Sequence, residues 1–199
     1  AGGFSLSARS ERRGGVSGAL VTVGLDGPDD GRYQVSDFIR IVEDSSLGPR
    51  IVERACSVFR RLGEAEARVH GVSVEDVQLH ELGSLDTLVD VVGAVVGLDL
   101  LQVEQLYCSP LPSGSGLVKS AHGLLPAPSP ATLALIAMSE APVGPPPRGV
   151  SDAGEMVTPT GAAIATTLAT FRQPAMSVAV VGYGLGSRDP EDYPNVLAI

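Results

Sequence analysis

Residues 49–70 read PRIVERACSVFRRLGEAEARVH, and this stretch decides the fold class. Apolar residues such as Ala55 and Phe59 recur in it at helical spacing, while arginines and glutamates fill most of the remaining positions. Pro49 suits the first position of a helix, and Gly71 suits the residue that ends one. The stretch therefore predicts one long amphipathic helix.

Further elements follow on both sides of that helix. Helices are predicted over Ser36–Glu43 with Ser36 as N-cap, over Ser84–Leu101 with Ser84 as N-cap, and after the pairs Ser129-Pro130 and Thr158-Pro159. Strands are predicted over Val16–Leu25, Gln105–Ser109 and Ser177–Tyr183, and a long loop over Pro110–Pro128. Because helices and strands do not alternate regularly, we predict an α+β fold. Its central element would be the apolar helix at 84–101, with several flanking helices packed on a small mixed sheet.

Composition excludes several functional classes. The chain has 199 residues, 44% of them hydrophobic, which is enough to form a packed core. Fourteen Lys and Arg against 23 Asp and Glu give a net charge of −9, which argues against nucleic-acid binding. The most apolar run is too short and too charged to span a membrane. Two cysteines without metal-site spacing fit a reducing compartment, so we expect a cytoplasmic protein.

The first candidate site is the segment that begins at His80. Glu81 follows His80 directly, and Asp86 and Asp90 are spaced to share one helix face. Carboxylates on an apolar helix are costly to bury unless they are paired or bind a cation. The segment is therefore either a metal site with His80 as the imidazole ligand, or an ordinary polar patch at a helix start.

Two further segments could bind an anion. In residues 109–122 (SPLPSGSGLVKSAH), glycines flank Ser115 and can expose backbone N–H groups, with Lys119 as the counter-charge. His122 at its end is a ligand, an acid or base, or a structural histidine. The other segment is the helix start at Thr158, where Thr160 adds a hydroxyl and Glu155 lies just before. Plain helix capping is the alternative there.

At these segments the chain resembles the LarC family of nickel insertion proteins. The matching stretches are AEARVHG from Ala65, HELGSLDTLVD from His80, SPLPSGSGLVKSAHGLLPAPSPAT from Ser109, GEMVTPTGAA from Gly154 and GYGLGSRDPEDYPNVL from Gly182. They occur in the family's order and cover most of the chain from about Arg12 onward.

The resemblance implies an activity. LarC-like proteins insert Ni²⁺ into pyridinium-3,5-bisthiocarboxylic acid mononucleotide, using CTP with Mn²⁺ or Mg²⁺, and so form the nickel-pincer cofactor of lactate racemase-like enzymes. The chain would then be an enzyme, a nickel chelatase or cyclometallase-type lyase. His80, Asp86, Asp90 and His122 would face the metal, and His80, His122 and Glu81 would be catalytic. The substrate would be bound by Lys119, Ser115, Thr158, Thr160 and Glu155.

Departures from the family pattern define an alternative. We expect residues 1–199 to be a single LarC-like N-terminal domain, truncated at its start and without the family's C-terminal domain, which would be a partner in cis or as a separate subunit. Gln34 and Gln78 stand where the family often has histidines. The alternative is a non-catalytic scaffold or assembly subunit. A generic enzyme acting on a phosphorylated ligand is a third reading. We further expect a homo-oligomer.

Overall fold

The computed structural model describes residues 3–27, 33–80, 82–146, 148–150 and 153–199. It divides into two compact units. The sheet unit contains the described residues of Ala1–Asp29, Pro147–Val150 and Pro174–Ile199. The helical unit contains those of Asp30–Pro146 and Ser151–Gln173.

The described chain combines five helices with small sheets, which confirms the α+β class. In chain order the elements are β1 (Phe4–Arg13), β2 (Val16–Leu25), α1 (Val35–Glu43), α2 (Pro49–His70), α3 (Leu85–Leu100), β3 (Leu106–Tyr107), β4 (Leu111–Pro112), β5 (Leu117–Ser120), β6 (Gly123–Pro126), α4 (Pro130–Ser139), β7 (Val143–Gly144), α5 (Pro159–Leu168), β8 (Ala169–Thr170), β9 (Tyr183–Leu185) and β10 (Val196–Ala198). Within the described residues, no helix combines the length and apolarity needed to cross a membrane.

The sheet unit is built on a long hairpin. Its strands lie in the order β1-β2-β9-β10, with β2 parallel to β9 and the other pairs antiparallel. β1 and β2 pair from Phe4↔Leu25 to Arg13↔Val16. Gly14 and Gly15 join them at φ values of 52° and 84°, the positive values that a tight two-residue hairpin turn requires.

One face of this hairpin is apolar and exposed. Residues paired across an antiparallel ladder lie on the same face, and side chains alternate along each strand. Phe4 and Leu6 of β1 therefore share a face with Val21 and Leu25 of β2, and all four are exposed. β1 was not predicted, because its polar residues obscure the alternation of the apolar ones.

The helical unit is organised around α2. This helix contacts α1, α3, α4 and α5, whereas α3, the helix expected at the centre, contacts α2 and α5. Phe59 on α2 is fully buried, and its ring centroid lies 4.9 Å from that of the buried Phe38 on α1. Gly71 ends α2 in the left-handed conformation at φ 67°, as its sequence position predicts.

The predicted helix starts are largely confirmed. The Ser84 hydroxyl accepts a hydrogen bond from the Thr87 amide at 3.3 Å, and Ser129 is the N-cap residue of α4 although its side chain makes no capping bond. The prediction for α1 is wrong by two residues: Gln34, not Ser36, is the N-cap. The reason is that the Asp37 carboxylate accepts the Gln34 amide at 3.0 Å, which fixes the first turn earlier.

Two predictions about strands need correction. The segment Pro110–Pro128, expected to be a loop, contains β4 and the β5–β6 hairpin. Of the strand expected over Ser177–Tyr183, only Tyr183 lies in a strand, which continues to Leu185. The alternating valines of that segment supply strand propensity, and a strand needs a partner backbone. Among the described residues of 177–182, Gly182 exchanges two backbone hydrogen bonds with Ile199, and no backbone pairing extends over the valines before it.

Candidate metal centre

All three histidines of the chain meet in the helical unit. One ligand atom each from His70, His80 and His122 lies within 4.8 Å of the other two. The ring centroids are 5.2 to 5.4 Å apart. We call these residues the histidine group. Zinc-type metal sites in proteins need at least three His, Cys, Asp or Glu ligands close together. Among the described residues, the histidine group meets this requirement.

Three different elements bring these side chains together. His70 is the last residue of α2. His80 follows the buried Leu79, whose carbonyl accepts the Gly83 amide at 2.8 Å and so closes a turn around His80. His122 lies in the β5–β6 turn, where its amide donates to the Ser120 hydroxyl at 3.0 Å. The convergence therefore depends on long-range packing, not on sequence spacing.

The spacing of the donors suits an ion after small adjustments. A divalent ion such as zinc holds imidazole nitrogens at about 2.1 Å, which places donors around one ion about 3 to 3.5 Å apart. His80 and His122 are exposed, so rotation of their side chains can close the remaining distance. His70 is half-buried and provides the fixed point.

A carboxylate lies behind one of the three imidazoles. His70 Nε2 lies 3.3 Å from Glu66 Oε2, one helical turn earlier, and the exposed fractions of the two side chains are 24% and 13%. A histidine that donates one ring N–H to a carboxylate presents its other nitrogen as the ligand atom in a fixed orientation. With the Nε2 proton directed at Glu66, Nδ1 of His70 would be the nitrogen available to an ion.

The predicted carboxylate ligands lie elsewhere or outside the described residues. Asp86 and Asp90 are on α3, are exposed, and do not join the histidine group. Burial of the carboxyl group and, secondly, the Asp86 charge raise the pKa of Asp90 to about 6, although the Asp90 side chain as a whole is exposed. The two carboxylates thus interact as their spacing predicts. Glu81 lies outside the described residues.

The glycine-rich segment is occupied by internal contacts. Gly114 has φ 68°, and a Cβ there would lie 2.3 Å from the Gly154 carbonyl oxygen, so this position requires glycine. The Ser115 hydroxyl accepts the Ala153 amide at 2.9 Å. Lys119 is exposed on β5. Of the predicted anion-binding groups here, Lys119 is the one directed to solvent.

The start of α5 is likewise used for capping. The Thr158 hydroxyl accepts the Gly161 amide at 3.1 Å, while Thr160 is buried and Glu155 is half-buried. Thr132 on α4 donates to the Val157 carbonyl at 3.3 Å, which ties the two helix starts together. The capping alternative therefore accounts for Thr158 on its own.

His70 is the member of the group that sequence reasoning missed. It stands in the predicted helix, next to the glycine that ends it, where its interaction with the helix C-terminus is a sufficient structural role. The available signal was the count: the chain has three histidines, and two of them were already candidates for one site.

Three imidazoles at a partly open surface define a candidate site for a borderline transition metal. The comparisons agree with that class. The chain matches a family model described as "Nickel insertion protein" over residues 1–199, which extends further upstream than the resembling motifs. The chain therefore belongs to the nickel insertion protein family.

Curated relatives support the same assignment. Three of them, each named "Putative nickel insertion protein", come from Roseiflexus castenholzii, Geotalea daltonii and Thermomicrobium roseum, with 47%, 41% and 44% identity over 99%, 98% and 99% of this chain. The matches cover 48%, 49% and 47% of the relatives' own length, so the chain spans about half the length of the curated relatives it matches. No solved structure matches it.

Proposed function

We propose that the histidine group binds the Ni²⁺ ion that the complete protein inserts into pyridinium-3,5-bisthiocarboxylic acid mononucleotide. Nickel is a substrate in this reaction, held before transfer. The convergence of His70, His80 and His122 within 4.8 Å is the observation that supports the proposal. Imidazole nitrogen is a donor that suits nickel.

The chemistry of transfer favours an open site. Three imidazole ligands leave coordination positions on the ion for the sulfur donors of the substrate, as catalytic metal sites do and closed structural sites do not. The exposure of His80 and His122 gives the substrate access. When a carbon–nickel bond replaces a ring carbon–hydrogen bond, a base must take up the proton. Glu81 is our candidate for this cyclometallase-type step while the imidazoles hold the ion; His80 or His122 would take up the proton only as it releases the nickel to the substrate.

The substrate phosphate needs a separate contact. Lys119 and the start of α5 remain our proposal for it, with Lys119 the stronger candidate because it is exposed. Ser115 and Thr158 would have to share hydroxyls that already accept backbone amides. Thr160 and Glu155 would contribute indirectly, by fixing the backbone conformation at this helix start.

CTP with Mn²⁺ or Mg²⁺ does not fit the histidine group. Those ions favour carboxylate and phosphate oxygens, whereas the metal-binding group in the described residues consists of three imidazoles. We therefore assign CTP to the part of the longer protein outside this chain. The complete protein would act in the cytoplasm, as a homo-oligomer.

Calorimetric titration of the chain with Ni²⁺ tests the proposal. We expect one ion per chain, with affinity lowered on the order of tenfold or more in each of His70→Ala, His80→Ala and His122→Ala. Gln78→Ala, an exposed change two residues from His80, is the matched control and should leave affinity unchanged.

Two outcomes would contradict the proposal. A parent chain that binds no Ni²⁺ would favour the non-catalytic scaffold, and equal binding by the parent and all three histidine variants would remove the group from the metal site. The same variants in a full-length relative, assayed for Ni²⁺ insertion with CTP, test the finer statement about the substrate.

A further inference from the structure

We propose that a second site in the helical unit binds the phosphate group of a small phosphorylated ligand. It is a cleft of about 200 Å³ between the α3–β3 connection, α2 and the end of β8. Its polar lining includes Arg54, Tyr107, Thr170 and Arg172, and we call it the arginine cleft. It shares no residue with the histidine group, and the proposal does not depend on nickel binding.

Arg172 is held in place by an aromatic ring. Its guanidinium carbon lies 5.3 Å from the ring centroid of Tyr107, and its Nη2 donates to the Tyr107 hydroxyl at 3.3 Å. That hydroxyl in turn donates to the Gln105 side chain. A guanidinium stacked in this way keeps donors free in a fixed orientation, and a fork of such donors matches the oxygens of a phosphate.

The walls of the cleft are built from paired backbone. β3 and β8 are parallel, with Tyr107 opposite Thr170. The Cys108 amide donates to the Thr170 carbonyl at 3.1 Å, and the Arg172 amide donates to the same carbonyl at 3.0 Å. On the other side, Arg50 Nη2 donates to the Val103 carbonyl at 2.9 Å and fixes the connection after α3. The two sides are therefore set before any ligand arrives.

The charges in the cleft favour an anion. Arg54 is half-buried and Arg172 is exposed, and in the described part of the chain neither forms an ion pair with a carboxylate. Glu104 is the acidic residue of the lining, so two positive charges face one negative charge. In a chain of net charge −9, this lining is locally positive by one charge.

The size of the cleft limits what enters it. Sites for whole drug-sized ligands have volumes of about 300 to 1,000 Å³, so this smaller cleft suits a phosphate group with the adjoining part of a ligand. The guanidinium groups and the Thr170 hydroxyl would contact the phosphate, and the apolar Leu98 and Leu168 would line the inner wall.

Titration with inorganic phosphate and pyrophosphate, followed by calorimetry, tests the proposal. We expect saturable binding that weakens on the order of tenfold in Arg54→Met and in Arg172→Met. Arg60→Met is the matched control, because Arg60 lies on α2 outside the cleft and pairs with Glu43. Arg172→Lys keeps the charge without the fork, and should bind several-fold more weakly than the parent.

Glu104→Gln should change phosphate affinity in the direction opposite to the arginine variants, and it leaves both arginines in place. Removing that negative charge should tighten phosphate binding if the cleft holds an anion. Absence of saturable binding by the parent would overturn the proposal. So would equal weakening in Arg60→Met and Arg172→Met, which would indicate diffuse charge attraction, or weaker binding in Glu104→Gln, which would indicate a cation site. Circular dichroism of each variant verifies folding.

Discussion

Replacing Glu66 with glutamine should weaken nickel binding without removing a ligand. Glu66 Oε2 lies 3.3 Å from His70 Nε2, and the two side chains are only 13% and 24% exposed, so water screens the contact incompletely. Glutamine keeps the size and an acceptor oxygen but loses the charge that makes the imidazole a stronger donor. Changes of this kind behind a ligating histidine lower metal affinity about 10- to 100-fold. For this partly exposed pair we expect the lower value, about tenfold, with one ion still bound.

Competition calorimetry with Ni²⁺ measures this change. Glu64→Gln is the control. Glu64 is exposed on the same helix, two residues from Glu66, and its substitution removes an equal charge. Equal affinity of Glu66→Gln and the parent would refute the orienting role of the carboxylate. An equal loss in Glu64→Gln would show that long-range charge, and not the contact with His70, is responsible.

Three further predictions concern stability, each measured by urea unfolding. Gly114→Ala should cost at least about 2 kcal/mol, because the added Cβ meets the Gly154 carbonyl oxygen at 2.3 Å, whereas Gly71→Ala, at φ 67° with open space, should cost only about 1 kcal/mol. Thr158→Ala should cost about 1 kcal/mol through the lost N-cap; no loss of stability would contradict the capping role of this hydroxyl. Asp90→Asn should stabilise the chain at neutral pH. The pKa of Asp90 is about 6 in the folded chain, against a usual value of 3.8. The free energy of unfolding should therefore fall as pH rises from about 3.8 to 6, and Asp90→Asn should remove that fall. Screening limits the effect to on the order of 1 kcal/mol, and a parallel pH profile in parent and variant would contradict it.

Helices could be predicted from the sequence because their determinants are local. The apolar spacing of α2, its Pro49 start and its Gly71 end all lie within the segment itself, and the structure places its bounds where they indicate. Ser84 and Thr158 are likewise recognisable as caps from their neighbours. Strands were predicted less well, because β1 and the segment at 177–182 depend on which backbone lies alongside.

The candidate site could be predicted only in part for the same reason. His80 and His122 stand out because they lie beside polar or glycine-rich motifs. His70 gives no such local signal, and its place beside them follows from the packing of α2 against the rest of the helical unit. The prediction that Asp86 and Asp90 share one helix face is confirmed by their interaction. Spacing alone does not predict which other part of the fold lies opposite that face.

The two-glycine turn at Gly14 and Gly15 makes strand length critical in the sheet unit. Alternation along ten paired positions means that sliding one strand by a single residue would invert every side chain of that strand. Phe4 and Leu6 would then exchange places with Ser5 and Ser7. The hairpin should accept many replacements at a given position, but not an insertion or deletion between its ends.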